Sequence, residues 1–377
     1  MAISRRQRPA RKGSGAYGAG WKAGYRTGTE AGYHAGRCEA VIRRFPEQRP
    51  PARPVRLIFV VSGQGEPYMT IERGLLESLR PLVAELHVMT PFENLEEAAL
   101  RLRPDLLLVF NGLNYVSAET IRAIREGGIR TAVWFTDDPY YTDVSEGVAR
   151  SYDVVFTIER TCVDWYRERG CSEVHFIPLA AAPGIYRPGK APASHHTDIL
   201  FLGSGYHNRV ALFDAIAPEL AGRRTLIAGR WWERLSNYEL LKPSLREDAA
   251  WLSPEETVQY YSGAKLVINL HRAHDDGEVN ANGQGVPAVS PNPRTFEISA
   301  CGTLQLVDAR EGLAGFYVPG QEIETFASPE ELVDKIRYYL GHEAERSRIA
   351  RNALARTLRD HTYTVRLGEL LQAAFGP

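Results

Sequence analysis

The sequence predicts an α/β fold in which two doubly wound, Rossmann-like domains face each other across a cleft, preceded by an N-terminal glycine-repeat helix. From residue 55 onward, short apolar runs rich in β-formers alternate with amphipathic stretches, the pattern of βαβ units on a parallel sheet. A segment rich in Pro, Gly and Ala at 181–197 interrupts this alternation, and a second series follows it. Since 377 residues exceed one ordinary core, we expect two domains with ligands bound at the carboxyl ends of their strands.

The alternation divides the chain into five segments. They are a basic arm at 1–54, an N-terminal domain at 55–180, a linker at 181–197, a C-terminal domain at 198–360 and a terminal helix at 361–377 that can cross back to the N-terminal domain. In the N-terminal domain we predict strands at 55–61, 85–89, 105–110, 131–135, 153–158 and 174–177, and helices at 71–80, 118–126 and 162–169. In the C-terminal domain we predict strands at 198–202, 225–228, 265–270 and 303–307, and helices at 209–216, 254–262, 294–300, 329–340 and 343–359.

Composition excludes several classes of protein. Hydrophobic residues make up 44% and charged residues 24%, as in globular proteins, and no run approaches the roughly 20 apolar residues of a membrane-spanning helix. The basic N-terminus is followed by glycines and tyrosines instead of an apolar segment, so we expect a cytoplasmic chain. The four cysteines lie far apart without a CxxC pair, which argues against a structural zinc site or a disulfide framework and predicts reduced thiols.

The N-terminal arm combines positive charge with a glycine repeat. Residues 1–54 contain 12 Lys and Arg against 3 Asp and Glu, whereas the rest of the chain has 33 against 43. Such an arm can contact nucleic acid or an anionic membrane, but it is more often a solvated appendage, so we expect no nucleic-acid role. Glycine recurs every fourth residue from Gly20 to Gly36, which predicts a helix over 16–44 that packs by this stripe against the body of the protein or a second protomer. A disordered tail is the alternative.

A glycine turn follows the first strand of the C-terminal domain. In FLGSGYHNR, residues 201–209, a buried strand ends at Gly203 and Ser204, and a helix begins near Asn208. Free backbone N–H groups and the helix dipole both favour an anion at such a turn, although a tight turn without a ligand is the alternative. Arg209 supports an anion site because a guanidinium beside the turn can bind a diphosphate bidentately.

A second motif is NPRTFEISACGTLQLV at 292–307. It consists of a polar segment, a predicted short helix, a glycine that ends this helix and a predicted buried strand. It resembles the donor-binding motif of the group 1 glycosyltransferases, and most closely their CgeB-like spore-maturation branch, whose pattern is Arg-x-x-Glu-x-x-Ala-x-Gly before a hydrophobic strand. These positions are occupied by Arg294, Glu297, Ala300 and Gly302.

The resemblance covers roughly residues 55–375 and includes WFTDDPY at 134–140, FYVPG at 316–320, SPEEL at 328–332 and HTYTVRLGELL at 361–371. It implies a GT-B fold and a nucleotide-sugar donor bound by the C-terminal domain, with the acceptor on the N-terminal domain. By this resemblance Glu297 accepts hydrogen bonds from the ribose hydroxyls, and Arg294 lies beside the diphosphate or the sugar. The other predicted donor-site residues are Gly203, Ser204, Asn208, Arg209, Arg230 and Asn269. Many retaining relatives carry a second glutamate eight residues earlier, where this chain has Val289, so inversion or retention stays open.

Candidate catalytic groups follow two predicted strand ends. Asp137 and Asp138 follow the strand at 131–135, where a carboxylate that faces the cleft can deprotonate an acceptor hydroxyl. We choose Asp138 as this base and place Asp137 on the acceptor side, with capping of the next turn as the alternative. His271, which follows another strand, is the second catalytic candidate.

No metal or other cofactor is expected. The HRAHDD sequence that begins at His271 contains metal-ligating residue types, but it offers no i, i+4 pair of ligands on a helix. The chain also lacks an Asp-x-Asp pair, the manganese ligand set of the other main glycosyltransferase fold. In the fold that the resemblance implies, helix dipoles and cations neutralise the diphosphate.

A second glycine turn follows the first strand of the N-terminal domain. It consists of Gly63, Gln64 and Gly65. We predict that this turn forms part of the acceptor side, opposite the donor phosphates, with a plain strand-to-helix turn as the alternative.

These features predict a metal-independent glycosyltransferase that moves a sugar from a nucleoside diphosphate sugar, of the UDP type, to a hydroxyl of a glycan, a protein or a small acceptor. The resemblance suggests decoration of the spore surface, and the glycine-repeat helix suggests a homodimer. Two alternatives stay open. One is a catalytically silent protein that binds a sugar nucleotide or assembles the spore coat, and the other is a nucleotide-sugar epimerase on the same fold.

Overall fold

The computed structural model describes residues 14–246 and 251–376 of the chain. Its N-terminal sheet consists of β1 (Arg53–Val60), β2 (Val83–Met89), β3 (Leu106–Phe110), β4 (Thr131–Phe135), β5 (Val154–Thr157) and β6 (Val174–Phe176). Its C-terminal sheet consists of β7 (Thr197–Leu202), β8 (Thr225–Ala228), β9 (Leu245–Arg246), β10 (Ala264–Asn269), β11 (Leu304–Asp308) and β12 (Glu324–Phe326). The strand orders are β2-β1-β3-β4-β5-β6 and β12-β11-β10-β7-β8-β9, and all the paired strands are parallel.

Helices connect these strands. Before and within the N-terminal domain they are α1 (Ser14–Arg44), α2 (Tyr68–Leu79), α3 (Leu95–Leu102), α4 (Ala118–Glu126), α5 (Thr142–Ala149) and α6 (Thr161–Glu168). The C-terminal half contains α7 (His207–Ala215), α8 (Ala217–Ala221), α9 (Tyr238–Leu241), α10 (Pro254–Gly263), α11 (Pro293–Ala300), α12 (Pro329–Gly341), α13 (Glu343–Asp360) and α14 (Tyr363–Phe375).

The predicted fold class is confirmed, and each predicted strand is present. The prediction omitted α3, α5, α8, α9, β9 and β12, which are all short. The start of α3 was nevertheless marked in the sequence, since the side chain of Asn94 caps this helix by accepting a hydrogen bond from the N–H of Glu97. Elements of two to eight residues are too short to establish a periodicity, so capping residues are the better signal for them.

Each sheet is covered by helices on both faces. Along β1, Leu57 and Phe59 point into one core with α2 and α14, whereas Ile58 and Val60 point into a second core with α3 and α4. Because both faces are buried, the strand is a nearly continuous apolar run without polar alternation. The C-terminal sheet has the same two-sided arrangement. With both faces covered, a ligand can reach the sheets only at the ends of the strands, and in folds of this type it binds at the carboxyl ends.

The chain passes between the domains twice at one place. The N–H of Ala181 donates to the carbonyl of His361 at 3.0 Å, and the N–H of Tyr363 donates back to the carbonyl of Ala181 at 2.9 Å. After this crossing, α14 packs against α2, and Leu367 and Leu370 belong to the core of the N-terminal domain. The terminal helix is thus part of the N-terminal domain in space.

A third connection is the segment between β10 and α11, residues 271–292, which we call the strap. It belongs to the C-terminal domain in sequence but lies on the N-terminal domain, where Val286 joins the apolar core. The buried carboxylate of Glu159 accepts hydrogen bonds from the N–H groups of Val289 and Ser290, both at 3.0 Å, and from the Ser290 hydroxyl at 2.9 Å. The strap therefore holds the two domains together beside the cleft.

Helix α1 contacts the body near its C-terminal end. Nε2 of His34 lies 2.8 Å from the carbonyl oxygen of Gly302, and buried Cys38 packs against the same glycine. The glycine stripe does not take part, because a Cβ built on any glycine from Gly24 to Gly36 would meet no atom within 4 Å. The prediction that this stripe packs against the body is therefore wrong for these four glycines. Packing against a second protomer stays a prediction.

Two further expectations concern the whole chain. Within 14–246 and 251–376, no helix is sufficiently long and apolar to cross a bilayer. The four cysteines, Cys38, Cys162, Cys171 and Cys301, are buried free thiols.

Candidate functional site

A cavity of about 320 Å³ lies between the carboxyl ends of the two sheets. It brings together eight of the predicted site residues, namely Asp137, Asp138, Gly203, Ser204, Arg209, His271, Arg294 and Glu297. Six predicted residues do not line it, namely Gly63, Gln64, Gly65, Asn208, Arg230 and Asn269. The cavity contains groups from both domains, so a ligand that fills it contacts both.

The floor of the cavity consists of the loops that follow β7 and β8. The N–H of Gly203 donates to the carbonyl of Ala228 at 2.8 Å, and the N–H of Gly205 donates to the carbonyl of Arg230, also at 2.8 Å. A Cβ on Gly229 would lie 2.2 Å from the Gly203 oxygen, so the two loops can approach this closely only with glycine at that position. Helix α7 begins directly after this turn, so the positive end of its dipole lies beside it.

Arg209 lies under this turn. Its Nε donates to the carbonyl of Leu270 at 3.0 Å and its Nη1 donates to the carbonyl of Ser204 at 2.9 Å. The guanidinium is buried, and burial, reinforced by the nearby charge of Arg294, lowers its pKa to about 9. No carboxylate in the described residues forms an ion pair with Arg209. Its partners are neutral carbonyls, so its positive charge is left for an anion in the cavity.

Arg294 and Glu297 occupy successive turns on one face of α11, as the motif predicts. Within the described segments, Arg294 forms neither a hydrogen bond nor an ion pair, so its guanidinium is free for a ligand. Burial raises the pKa of Glu297 to about 7, against the opposing effects of Arg294 and of the Tyr186 hydroxyl. A carboxyl group in this condition can accept hydrogen bonds from ligand hydroxyls and is stabilised in its charged form by them.

His271 does not act as the sequence predicted. Its Nδ1 lies 2.5 Å from Oδ1 of Asp308, and its Nε2 accepts a hydrogen bond from the N–H of Asn292 at 2.9 Å. Burial lowers the pKa of His271 to about 4, so the ring is neutral at pH 7. Because both ring nitrogens are engaged with the protein, His271 has no free nitrogen to exchange a proton with a substrate. It positions Asn292, the N-cap residue of α11.

Three predicted donor residues lie outside the cavity. Asn269 donates from Nδ2 to Oγ1 of Thr295 at 3.1 Å and to Oε1 of Gln305 at 2.9 Å, which ties β10 to α11 and β11. Asn208 donates to the carbonyl of His271 at 2.9 Å. The side chain of Arg230 is exposed outside the cavity. Proximity to a strand end was thus a correct guide to the edge of the sheet but could not tell which way a side chain points.

The two aspartates differ in their surroundings. The Asp138 carboxylate is buried and accepts hydrogen bonds from Oγ1 of Thr157 at 2.6 Å and from the Tyr166 hydroxyl at 2.9 Å, so both of its oxygens are engaged. Burial raises its pKa to about 7. Asp137 accepts hydrogen bonds from Tyr68 and Asn111 at one oxygen, Oδ2, while its Oδ1 has no partner in the described part of the chain.

Burial also raises the pKa of Asp137, although the hydrogen bonds from Tyr68 and Asn111 oppose this rise. Since Asp137 is the more exposed of the two aspartates and has the free oxygen, the geometry favours it over Asp138 as the base.

The Gly63 turn lies apart from the cavity. A Cβ on Gly63 would lie 2.6 Å from Pro91 and 3.2 Å from Phe92, so this turn packs under a neighbouring loop. Gly63 has a φ of +73°, which a glycine adopts without strain. The wall that we predicted for Gly63, Gln64 and Gly65 is instead formed by Pro67 and Tyr68 at the start of α2.

Sequence reasoning missed several cavity residues. Arg272 was considered only as part of a possible metal loop, although an arginine beside a strand end is also a signal for an anion site. Glu159 directly follows a predicted strand, which is the same signal that identified the aspartates. Tyr68 and Tyr206 begin helices at the cavity, and no sequence pattern distinguished them from core tyrosines.

No candidate metal centre is found in the part of the chain that the structure describes, where no three His, Cys, Asp or Glu side chains come together to hold an ion. Metal independence of the reaction stays a prediction.

In the C-terminal half of the chain, residues 209–372 match the model of the Glycosyl transferase-like family. The matched range includes Arg209, Arg294 and Glu297. Over 299 residues the chain is also 28% identical to "Spore protein CgeB" of Bacillus subtilis, a match that covers 78% of this chain and 91% of that protein. The predicted resemblance to the CgeB-like branch is confirmed.

Solved structures of glycosyltransferase-like proteins have the same architecture. HepE of Anabaena, in complex with UDP and glucose, superposes with a TM-score of 0.57 at 10% identity and covers 84% of this chain and 98% of that one. Sucrose-phosphate synthase of Thermosynechococcus elongatus gives 0.58 at 14% identity, covering 86% and 99%. A putative UDP-N-acetylglucosamine 2-epimerase of Listeria monocytogenes gives 0.52 at 11% identity, covering 85% and 96%. The fold is therefore GT-B, an architecture that this chain shares with these three proteins.

Proposed function

We propose that this protein transfers a sugar from a UDP-sugar to a hydroxyl group of a glycan or protein acceptor. One observation carries the proposal: Arg209 and Arg294 face the cavity at the starts of α7 and α11 without an ion-pair partner in the described residues. Buried cations without a carboxylate are costly, so the site is built for an anion. A nucleoside diphosphate supplies two negative charges. The glycine turn before α7 and the two arginines are positioned to bind them.

The residues of the cavity have distinct roles in this reaction. Glu297 accepts hydrogen bonds from the ribose hydroxyls, and the two arginines with the N-terminus of α7 stabilise the departing UDP. Asp137 takes the proton of the acceptor hydroxyl through its free Oδ1. The acceptor oxygen then forms its bond to the anomeric carbon as the bond from that carbon to the diphosphate oxygen breaks. His271, Asp308 and Glu159 hold the protein segment that leads into α11.

The choice of UDP rests on HepE, whose structures hold UDP and UDP-glucose, and the acceptor class rests on the likeness to a spore protein. We further propose that the product belongs to the spore surface and that the reaction needs no metal. The glycine stripe of α1 is proposed to pair two copies of the chain.

The experiment is a panel of UDP-, ADP- and GDP-sugars incubated with the full chain in excess chelator, with and without a mixture of oligosaccharide acceptors. We expect UDP release that depends on acceptor and persists in chelator. Release of an isomerised sugar without acceptor would identify an epimerase, and binding without any turnover would identify a silent nucleotide-sugar-binding protein. Loss of activity in chelator with rescue by manganese would contradict the metal-free mechanism.

A further inference from the structure

Arg272 is a third cation of the cavity, and the proposed reaction does not yet use it. It follows His271 at the start of the strap and lines the cavity. Its guanidinium carbon lies 4.7 Å from the ring centroid of Tyr140 in the N-terminal domain and 4.8 Å from that of Tyr206 in the C-terminal domain. The ring centroid of Tyr141 lies 5.5 Å away. Aromatic rings from both domains therefore surround the guanidinium, an arrangement that stabilises a cation.

The charge of Arg272 is not neutralised by the protein. Its Nη2 donates to the carbonyl of Val279 at 2.5 Å, and its buried Nε has no partner in the described residues. In the same stretches of chain, no carboxylate oxygen lies within the 4.0 Å of an ion pair. The neighbouring Arg310 is different, because its Nε pairs with Asp308 at 3.1 Å and its other nitrogens donate to the carbonyls of Ala288 and Arg272.

Arg272 comes from a different part of the fold than the predicted phosphate ligands. It comes from the loop after β10, whereas the predicted phosphate ligands, Arg209 and Arg294, come from the helices α7 and α11. Arg272 and Asp137, the proposed base, both line the cavity, and the charge of Arg272 opposes the rise in the pKa of Asp137 that burial causes. Arg209 and Arg294 match the two phosphates of a UDP-sugar, so Arg272 is available to another anionic group of a substrate.

We propose that Arg272 binds a carboxylate on a sugar, so that the protein handles an acidic sugar of the uronic acid class. This inference rests on the proposed function. A guanidinium flanked by tyrosine rings presents N–H groups at its edge, the geometry that a carboxylate matches with two parallel hydrogen bonds. The carboxylate can belong to the transferred sugar or to the terminal sugar of the acceptor, and the two sources are distinguished by separate titrations.

The first titration compares UDP, UDP-glucose and UDP-glucuronate by calorimetry on the wild type, on Arg272→Gln and on Arg272→Lys. If the carboxylate is on the donor, UDP-glucuronate binds about tenfold or more tightly than UDP-glucose. Arg272→Gln removes this preference and leaves the affinity for UDP unchanged, and Arg272→Lys keeps part of the preference because its charge is retained. Arg234→Gln, which removes an exposed guanidinium paired with Glu278, is the control and keeps the full preference.

The second titration is made in saturating UDP and compares methyl glucuronide with methyl glucoside by ligand-observed NMR. If the carboxylate is on the acceptor, methyl glucuronide binds about tenfold more tightly and Arg272→Gln removes the difference. Binding of UDP without a preference in either titration would overturn this inference and leave the proposed function standing. Absence of UDP binding to the wild type would overturn the proposed function and this inference together. Thermal unfolding of each variant checks that it is folded.

Discussion

The charged side chains on the two sides of the cleft differ in whether they have partners within the protein. On the N-terminal side, Asp137 and Asp138 accept hydrogen bonds from neighbouring side chains, so each carboxylate is oriented before any ligand arrives. On the C-terminal side, Arg209, Arg272 and Arg294 have no carboxylate partner in the described residues. The carboxylates of the first side already have hydrogen-bond partners, whereas the arginines of the second side need an anionic ligand to balance their charge. This difference separates the side that moves a proton from the side that binds the donor.

The pKa shifts follow the same division. Burial lowers the pKa of Arg209 to about 9, and the adjacent charge of Arg294 adds to this effect. Burial raises the pKa values of Asp138 and Glu297 to about 7, in the case of Glu297 against the opposing charge of Arg294. Binding of a diphosphate beside the arginines would restore the pKa of Arg209 toward its ordinary value, so donor binding and protonation are coupled.

The largest expected effect tests the proton-moving side. We predict that Asp137→Asn lowers the turnover rate by roughly 10²- to 10⁴-fold, the typical contribution of a general base, and leaves UDP affinity unchanged. Steady-state UDP release and calorimetry measure the two quantities. Tyr68→Phe is the matched control, because it removes one hydrogen bond to Asp137 but keeps the carboxylate, and we expect a much smaller loss. A comparable loss of UDP affinity in Asp137→Asn would mean that this carboxylate belongs to the donor side.

The second prediction concerns stability and pH on the same side. The pKa of Asp138 is raised from 3.8 to about 7 in the folded protein, so folding favours its protonated form. Its contribution is fully present below about pH 4 and is lost as the pH rises to 7, at a cost of up to about 4 kcal/mol. Asp138→Asn removes this term, so the variant becomes more stable relative to the wild type between pH 4 and pH 7.

Unfolding midpoints of the two proteins at each pH measure this difference. The comparison cancels His271, whose lowered pKa gives the opposite sign, and Glu297, whose raised pKa gives the same sign. A stability difference that does not vary with pH would show that Asp138 is charged throughout.

The third prediction tests the donor side by removing its arginines. Arg294→Ala should weaken UDP binding by about 3 kcal/mol, roughly 100-fold, because charge-assisted hydrogen bonds to phosphate are lost. Binding of uridine should change little, since uridine has no phosphate. Arg209→Ala should have the same selectivity but also lower the unfolding temperature, because Arg209 additionally bonds two backbone carbonyls. Equal losses for UDP and uridine would contradict the assignment of either arginine to the phosphates.

A fourth, smaller effect is expected for Glu297. We predict that Glu297→Ala costs about 1.5–3 kcal/mol of affinity for both UDP and uridine, since its proposed partners are ribose hydroxyls that both ligands carry. Calorimetric titration with the two ligands is the measurement, and 2′-deoxyuridine 5′-diphosphate is the matched ligand that already lacks one hydroxyl. If Glu297→Ala bound UDP as tightly as the wild type, Glu297 would not be part of the nucleotide site.

The fold could be predicted from the sequence because its signals are local and repeated. The fully buried strands β3 and β4 are apolar runs of strand length, and the helices between them begin at capping residues such as Ser117. The donor side could be predicted for a similar reason. A glycine turn and an Arg-x-x-Glu helix are short motifs in which sequence spacing fixes the positions of Arg209, Arg294 and Glu297.

The rest of the site depends on contacts between residues far apart in the chain. The two ring nitrogens of His271 are engaged by Asp308 and Asn292, which lie 37 and 21 residues away. The choice between Asp137 and Asp138 depends on which carboxylate meets Thr157 and Tyr166, and only the folded sheet brings these groups together. A single sequence places a polar residue at a strand end, but its partners determine whether it reacts, binds or supports.

The smallest effect is expected outside the cleft, in helix α1. It tests whether the charge difference between the two sides of the cleft depends only on the residues of the cavity. A Cβ on Gly24 or Gly28 meets no atom within 4 Å, so alanine fits at both positions. Each substitution should favour the helix by roughly 0.5–1 kcal/mol, because alanine loses less backbone entropy than glycine on folding. We predict that Gly24→Ala with Gly28→Ala raises helicity in circular dichroism, while UDP affinity and the unfolding temperature of the body stay unchanged.

The same positions also test the proposed second protomer. Leucine at Gly24 and Gly28 would fit equally well in a single chain, since the space around both is open, but it would separate two helices that cross at their glycines. We therefore expect the double leucine variant to bind UDP normally and to have the mass of one chain by light scattering, where the wild type has the mass of two. A wild type that is already a single chain would exclude the pairing. A leucine variant with weakened UDP binding would show instead that α1 acts on the cleft, and that the charge difference between its two sides is not set by the cavity residues alone.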